Sequence, residues 1–211
     1  MLAVFASARP RVGLPPGPEL NRHPVAGAVL CGGQSRRFGS DKALADAGGI
    51  PLGRRVIDAM ADAGVDPIVA VGGTAGSALG VVSIADKYPG QGPLAALATV
   101  LRWAGAGRVL VAPCDLPLIV GSDFECLINA GDDDEIVVAN AEGRVQPSVG
   151  CWPAIYGADI SALVAAGRRR WMDGLEVGPW RSVSLDDRAL YDADTPERLA
   201  ALLNMGPRHQ N

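Results

Sequence analysis

Short β-type runs alternate with longer helix-type stretches along most of the chain, and this alternation constrains the fold more than any other feature. Val25–Leu30 is an unbroken apolar run that ends at a glycine pair, whereas Pro51–Ala63 carries apolar residues at helical spacing and stops at Gly64. Strands separated by helices of about ten residues form a mainly parallel sheet, because parallel neighbours need a crossover connection. The pattern therefore predicts a three-layer α/β domain, with helices on both faces of a mostly parallel central sheet.

The alternation continues to residue 203, and a chain of 211 residues suits one such domain. Further strands are predicted at Pro67–Val71, Gly80–Ile84, Arg108–Ala112, Ile136–Ala139, Pro147–Trp152 and Trp180–Leu185. Further helices are predicted at Leu94–Trp103, Phe124–Ala130, Tyr156–Ala166 and Thr195–Leu203. No repeat or linker divides residues 25–204, which form the predicted domain. Residues 1–24 are rich in proline and are predicted to be a poorly ordered tail, with a second, short tail at 205–211.

The chain has only two histidines, His23 and His209, and both lie in the predicted tails. A Ser-His-Asp hydrolase, a Cys-His protease and a histidine-ligated zinc site each need a histidine inside the fold. The composition therefore argues against all three. Any metal chemistry has to rest on carboxylates, which prefer hard ions such as Mg²⁺.

Charge and cysteine content restrict the partners and the compartment. A formal net charge of −4 argues against nonspecific nucleic-acid binding. No apolar run approaches the roughly 18 residues of a membrane span, and Leu2–Ala8 is too short for a secretory signal. The cysteines form no C-x-x-C pair, so they are predicted to be reduced, mostly buried thiols in the cytoplasm. They are Cys31, Cys114, Cys126 and Cys151.

The loop after the first strand, residues 30–42, combines a glycine pair with basic residues. In parallel α/β sheets ligands bind at the carboxyl ends of the strands, so this loop is a candidate site. Gly32 and Gly33 let backbone amides approach an anion, while Arg37 and Lys42 can neutralise phosphate charge. The loop is neither a dinucleotide fingerprint nor a Walker loop. A glycine turn followed by a solvated basic loop is the alternative, but the combination of residues favours phosphate binding.

Asp115 directly follows the fourth strand, between Pro113 and Pro117, and is therefore held rigidly at the same edge of the sheet. A loop aspartate often caps the next helix. Here Ser122 or Asp123 is better placed for capping, which leaves Asp115 free to bind an ion.

Two further segments offer carboxylates. Asp86 follows the third strand and precedes a Gly-x-Gly-Pro helix start, which together offer a carboxylate and several free N–H groups to a ribose or base. Before the last helix, Asp194 has Glu197 three residues on, as an N-cap would. Asp192 has no such structural duty, so it is the better candidate for a second metal carboxylate.

Four motifs occur in order between Val25 and Leu203. They are Leu-x-Gly-Gly-x-Ser-x-Arg-x-Gly-x-Asp-Lys-Ala-Leu from Leu30, Gly-Gln-Gly-Pro-Leu-Ala from Gly90, Pro-Cys-Asp-x-Pro from Pro113, and Asp-Thr-Pro-Glu-x-Leu from Asp194. In this order they resemble the molybdenum cofactor guanylyltransferase family. The first motif alone would indicate only a broader superfamily of nucleotidyltransferases with a Rossmann-like fold.

The resemblance implies transfer of GMP from GTP to the terminal phosphate of molybdenum-molybdopterin, with release of pyrophosphate and with Mg²⁺ as cofactor. Asp115, Lys42 and Arg37 would be catalytic, and Asp115 and Asp192 would hold the metal. The implied nucleotide site consists of Leu30, Cys31, Gly32, Gly33, Lys42, Gly72, Asp86, Gly92 and Asp115. Expected partners are the two substrates, with transient contact to molybdopterin-handling proteins or apo-molybdoenzymes, and neither nucleic acid nor membrane.

The chain departs from the family pattern in three segments. Gly72-Gly73 stands where an asparagine is usual, and Gln146-Pro147 replaces a frequent His-Pro. Asp192 and Asp194 stand where guanylyl-transferring relatives often have asparagines and cytidylyl-transferring relatives have aspartates. The alternatives are therefore a cytidylyl or other nucleotidyl transferase on a related phosphorylated acceptor, or a noncatalytic nucleotide-binding protein that delivers the cofactor.

Overall fold

The computed structural model describes residues 24–32, Phe38 and residues 41–206. Within them, the strands are β1 Val25–Leu30, β2 Ile68–Val71, β3 Val82–Ile84, β4 Arg108–Pro113, β5 Ile136–Ala141, β6 Arg144–Pro153 and β7 Trp180–Ser184. The helices are α1 Leu52–Asp62, α2 Gly76–Leu79, α3 Pro93–Ala104, α4 Gly121–Asn129, α5 Gly157–Ala165 and α6 Pro196–Leu203. Short 3-10 turns lie at Lys42–Leu44, Ala154–Tyr156, Trp171–Val177 and Asp187–Leu190. The predicted tails fall largely on residues 1–23 and 207–211, outside the described residues, and the domain boundaries stay a prediction.

The strands form one sheet in the order β3-β2-β1-β4-β6-β5-β7. All neighbouring strands are parallel except β6, which runs antiparallel to both β4 and β5. The sequence prediction of a single α/β domain with a mostly parallel sheet is confirmed. Because β1 and β4 are neighbours at the centre of this order, the loops after both strands meet at one edge of the sheet.

A tight hairpin joins β5 to β6, and both strands are longer than the sequence predicted. The turn residues Glu142 and Gly143 have φ values of 50° and 72°. Two positive φ values match the right-handed twist of the flanking strands in a two-residue turn. Asn-Gly or Asp-Gly is the usual sequence signal for such a turn, which is why the prediction ended one strand at Ala139 and began the next at Pro147.

Alternate residues of the central strands pack on opposite faces of the sheet, as the period of two requires. Val29 and Leu110 belong to the buried cluster beneath α1 and α4, which includes Phe124. Ala28 and Val109 belong to the cluster beneath α3 and α5. Helices therefore cover both faces, and most residues of the two central strands are buried.

The last helix is fixed against the first by a separate small core. Leu199 and Leu202 of α6 share an apolar cluster with Leu52, at the start of α1, and with Ala193. This packing holds the segment before α6 at the carboxyl edge of the sheet. No helix in the described part of the chain has the length and apolar character that crossing a membrane requires.

Candidate active site

A cavity of about 730 Å³ lies at the carboxyl ends of β1 and β4. Its volume falls within the roughly 300–1,000 Å³ that is typical of small-molecule sites. The wall that follows the two strands consists of Leu30, Cys31, Gly32, Pro113, Cys114, Asp115 and Leu116. Ligands of open α/β sheets bind at this edge, so the cavity is the candidate active site.

Lys42, Asp115 and Asp194 form a charged cluster inside the cavity, called the Lys42 cluster below. Lys42 Nζ donates to Asp115 Oδ2 at 2.6 Å and to Asp194 Oδ1 at 2.8 Å. The three side chains come from distant parts of the chain, since 73 and 152 residues separate the lysine from its two partners. The Lys42 and Asp115 side chains are only 12% and 20% exposed, so their charges are shielded more than those of a surface pair, whereas the Asp194 side chain is 58% exposed.

Lys42 is fixed because it begins a short 3-10 turn. Asp41 caps this turn, with its Oδ1 accepting from Ala43 N at 3.1 Å. Ala43 is fully buried, and Ala45 O accepts from Leu52 N, so the turn is tied to α1. The Phe38 ring centroid lies 5.7 Å from Lys42 Nζ and lines the cavity beside it.

Backbone hydrogen bonds bring the carboxylates to the lysine. Cys114 N donates to Leu30 O at 3.2 Å, which extends the β1–β4 pairing one step beyond the strands. Ala193 N then donates to Asp115 O at 2.9 Å. Ala193 is fully buried, whereas Asp192 and Asp194 on either side of it line the cavity. The segment before α6 therefore adds two carboxylates to the one that β4 supplies.

The predicted N-cap of α6 is wrong, because Thr195 caps this helix. Thr195 Oγ1 accepts from Arg198 N at 3.1 Å, while Asp194 is bonded to Lys42. Asp194 is thus a site residue that the sequence reasoning assigned to capping. The expected cap of α4 is confirmed in part. The N-cap position is Val120 and not Ser122 or Asp123, but Asp123 in the first turn satisfies that end of the helix, since its Oδ2 accepts from Val120 N at 3.0 Å.

The electrostatics of the cavity shift two pKa values upward. Burial lowers the pKa of Lys42, but hydrogen bonds and charges from Asp115 and Asp194 outweigh it and raise the pKa overall. Burial raises the pKa of Asp192, and the neighbouring charges of Asp194 and Asp115 raise it further against the opposing effect of Lys42. Three carboxylates around one ammonium leave an excess of negative charge, which favours a divalent cation.

The donor set fits Mg²⁺ in kind. Asp115, Asp192 and Asp194 offer the hard carboxylate oxygens that this ion prefers. Among the described residues, no three Asp, Glu, His or Cys side chains form a complete metal cage. Mg²⁺ usually binds through one or two carboxylates together with substrate phosphates and water, so a complete cage is not required.

Two thiols form the floor of the cavity. Cys31 and Cys114 are both buried, and Cys31 N donates to Val71 O at 2.9 Å. A hydrogen bond to Cys31 and burial raise the pKa of Cys114 far above its ordinary range, so this thiol is no nucleophile. No disulfide links the four cysteines and only Cys126 is exposed, which confirms the prediction of reduced, mostly buried thiols.

Two glycine loops touch each other beside this floor. Gly72 follows β2 with φ at +75°, and a Cβ placed there would lie 2.8 Å from Gly32 Cα. A side chain at this position would push apart the loops after β1 and β2, because real Cβ contacts are never that short. The glycine that replaces the expected asparagine is therefore required by the approach of Gly32. Gly32 lines the cavity; Gly72 supports it from behind.

Asp86 and Gly92 lie at the same edge of the sheet but do not line the cavity. Asp86 Oδ1 accepts from Tyr88 N at 2.9 Å and from Thr99 Oγ1 at 3.2 Å, which fixes the carboxylate against α3. The start of α3 offers fewer free amides than expected. Leu94 N already donates to Arg169 O. Gln91 N and Ala95 N donate to other backbone carbonyls, and proline at 93 has no N–H.

The cavity thus brings together six of the predicted site residues: Leu30, Cys31, Gly32, Lys42, Asp115 and Asp192. Gly33 and Arg37 lie outside the described residues. Asp194 was not among the predicted site residues, and neither was the wall opposite the strands, which consists of Pro93, Gln146, Ser148, Val149, Trp171 and Leu190.

Asp173 holds this opposite wall in place. It accepts from Arg168 Nη2 at 2.8 Å and from the backbone N of Arg170 at 3.0 Å and Arg169 at 3.3 Å. The 3-10 turn that begins at Trp171 is thereby closed. Arg168 and Arg169 are used structurally, since Arg169 Nη1 donates to Val164 O at 2.6 Å.

The comparisons with known proteins agree with this architecture. The family model described as a MobA-like NTP transferase domain matches residues 27–180. A protein from Cereibacter sphaeroides named molybdenum cofactor guanylyltransferase is 36% identical over 187 residues, which cover 82% of this chain and 93% of that protein. A protein of the same name from Rhizobium leguminosarum bv. trifolii is 33% identical over 199 residues, which cover 86% and 93%.

A solved structure supports the fold. The crystal structure of molybdopterin-guanine dinucleotide biosynthesis protein A from Archaeoglobus fulgidus has a TM-score of 0.67 at 20% identity and covers 86% of this chain and 98% of that one. The family match extends over most of the described domain and includes the strand ends that form the cavity. The chain therefore belongs to the family of MobA-like NTP transferase domains and is a nucleotidyltransferase.

Proposed function

We propose that this nucleotidyltransferase transfers GMP from GTP to the terminal phosphate of molybdenum-molybdopterin, with Mg²⁺ as cofactor. The observation that carries the proposal is the Lys42 cluster, which places one cation and two carboxylates at the carboxyl edge of the sheet. Two relatives that match more than four-fifths of the chain bear the guanylyltransferase name. These supports are independent, since one is geometric and the other comes from sequence identity.

The reaction needs positioning and charge neutralisation more than a protein nucleophile. An oxygen of the acceptor phosphate attacks the α-phosphorus of GTP in line, and the bond to the β-phosphate breaks to release pyrophosphate. No histidine lies among the described residues, which is compatible with this chemistry, and the neutral Cys114 thiol has no role as a nucleophile.

Lys42 and Arg37 are the proposed partners of the triphosphate. The raised pKa of Lys42 keeps its ammonium charged at neutral pH, so it can offset the negative charge that grows on the leaving pyrophosphate. Arg37 belongs to the same glycine-rich loop by sequence and would add a second positive charge.

Backbone groups of the same loop are the proposed contacts to the nucleotide. Leu30, Cys31 and Gly32 line the cavity and would approach it closely, with Gly33 continuing the loop. Gly72 keeps the neighbouring loop at the distance that Gly32 needs. Asp86 and Gly92 are proposed for the guanosine side, although they lie beyond the cavity lining, so the nucleoside would extend from the cavity along the sheet edge.

Asp115 and Asp192 are the proposed metal ligands, and Asp194 is a third candidate carboxylate. When bound, Mg²⁺ supplies charge stabilisation to the α-phosphoryl oxygens. Gln146 and Ser148 provide polar groups and Trp171 an aromatic face on the opposite wall, which suits a planar, polar acceptor such as a pterin.

Cysteines without a disulfide fit a reducing compartment, which supports a proposed cytoplasmic location. We further propose that the product passes through transient contact to molybdopterin-handling proteins or apo-molybdoenzymes.

Incubation with Mg²⁺ and molybdenum-molybdopterin, with GTP and CTP offered in parallel, tests the proposal by the dinucleotide formed. Product from GTP alone is expected. Product from CTP alone would show that the enzyme is a cytidylyltransferase, the alternative that the aspartates at 192 and 194 suggest. Nucleotide binding without product from either would favour the noncatalytic alternative.

A further inference from the structure

The ammonium of Lys42 lies in the space that a divalent cation on Asp115 and Asp194 would need. Its Nζ is 2.6 Å from Asp115 Oδ2 and 2.8 Å from Asp194 Oδ1. A magnesium ion sits about 2.0–2.1 Å from its carboxylate oxygens, so an ion between these two atoms would overlap the lysine nitrogen. The two cations therefore cannot use this pair of oxygens together.

We propose that Lys42 and the metal exclude each other at Asp115 and Asp194, so that the protein binds its metal together with the nucleotide phosphates and not as a free ion. This inference rests on the proposed function, in which Asp115 holds the metal and Lys42 holds the phosphates. It assigns to Lys42 a second role: until a triphosphate binds, its ammonium keeps a metal ion from binding between Asp115 and Asp194.

Burial makes the exclusion costly to overcome. The side chains of Lys42 and Asp115 are 12% and 20% exposed, so neither charge is fully solvated once the pair is broken. A free ion that displaced the ammonium would leave Lys42 shielded from water without the two carboxylates to which it donates hydrogen bonds, which is unfavourable. Phosphate oxygens change this balance because they offer Lys42 new charged hydrogen bonds as it leaves the carboxylates. Metal and nucleotide therefore favour each other's binding, and the coupling is reciprocal.

The proposal predicts that removal of a positive charge from the site strengthens metal binding. Lys42→Met keeps the length and apolar stem of the side chain and leaves Asp115 and Asp194 without their ammonium. Free Mn²⁺, the spectroscopic substitute for Mg²⁺, should then bind at least about tenfold more tightly, because an ion pair of this burial contributes at least that factor.

Two control variants separate charge from other effects. Lys42→Arg retains the positive charge in the site and should bind Mn²⁺ no more than about twofold better than the parent protein. Lys87 is the chain's only other lysine and is exposed, with its Nζ over the Tyr88 ring. Lys87→Met removes the same charge from the whole molecule and should leave the Mn²⁺ affinity within about twofold, since exposed charges are screened.

In the experiment, Mn²⁺ is titrated into each protein without nucleotide. Electron paramagnetic resonance measures the concentration of unbound Mn²⁺, which gives the dissociation constant. Thermal unfolding with and without Mg²⁺ gives a second readout: the melting temperature should rise with the ion for Lys42→Met and stay constant for the parent protein. Lys42→Gln serves the same purpose if the methionine variant does not fold. A folded neutral variant that gains no affinity would overturn the proposal.

A gain that persists when Asp115→Asn is added would also overturn it, since the ion would then sit elsewhere. The titration contains neither nucleotide nor acceptor, so its result is separate from the dinucleotide assay. A protein that forms no product can still show the exclusion, and one that forms product can fail to show it.

Discussion

Replacing Asp173 by asparagine should destabilise the protein because this carboxylate holds the wall opposite the strands. Asp173 is 9% exposed and accepts hydrogen bonds from the Arg168 guanidinium and from two backbone amides. The bond to Arg168 is the main reason that the pKa of Asp173 falls from 3.8 to about 2, against the opposing effect of burial. That shift corresponds to roughly 2 kcal/mol of folding free energy. Arg168 is 40% exposed, so solvent screening reduces the expected loss in Asp173→Asn to about 1–2 kcal/mol.

The pH dependence gives this prediction its sign. A carboxyl whose pKa is lower in the folded state stabilises the protein above the unfolded pKa and loses that effect as the pH falls through the folded value. The difference between the parent protein and Asp173→Asn should therefore be constant from about pH 5 to pH 8 and shrink between about pH 4 and pH 2. Urea unfolding followed by tryptophan fluorescence measures it, since Trp171 begins the turn that Asp173 closes.

Glu176 supplies the matched control because it contacts the same Arg168 from an exposed position. Glu176→Gln should cost less than about 0.5 kcal/mol, as exposed ion pairs do. Equal free energies of unfolding for the two variants at pH 7 would refute the reasoning. A difference that persists unchanged to about pH 3 would refute the electrostatic part of it.

Three further variants probe the other side of the cavity. Asp115→Asn should lower turnover at least ~100-fold while circular dichroism stays unchanged, and near-normal activity would remove Asp115 from the metal site. Gly72→Ala should cost about 2 kcal/mol in urea unfolding, because its Cβ would lie 2.8 Å from Gly32 Cα; Gly143→Ala, at φ +72° with no neighbouring atom within 4 Å, should cost only about 1 kcal/mol. Equal costs would show that the close approach is unimportant. Asp192→Asn should make the protein slightly more stable at pH 7, since burial and nearby carboxylates raise the pKa of Asp192, and the gain should vanish as the pH falls through that pKa. A loss of stability at pH 7 would contradict that assignment.

The parts of the fold that local patterns encode could be predicted from the sequence. The apolar run Val25–Leu30 coincides with β1, and the position of Asp115 after β4 follows from an apolar run that ends at Pro113. Capping of α4 by Asp123 was likewise a local property. Each of these rests on residues fewer than ten positions apart, where spacing alone determines the geometry.

Contacts between distant segments could not be predicted in this way. Asp194 sits three residues before a glutamate, which matches a local capping pattern, yet its partner Lys42 is 152 residues away. Likewise, the amide of Leu94 appeared free because nothing in its own segment shows that Arg169 O would reach it. Sequence spacing identifies which groups end at the sheet edge, whereas tertiary packing decides which of them are already bonded.

The transfer of GMP to molybdenum-molybdopterin is tested most directly by following the α-phosphorus of GTP. GTP labelled at that phosphorus is incubated with the protein, molybdenum-molybdopterin and Mg²⁺, and both the dinucleotide and pyrophosphate are quantified. We expect the label in a guanine dinucleotide of molybdopterin, with one pyrophosphate released for each dinucleotide formed. Asp115→Asn should form neither product. Label that leaves as free GMP or GDP, with none on the pterin, would contradict it.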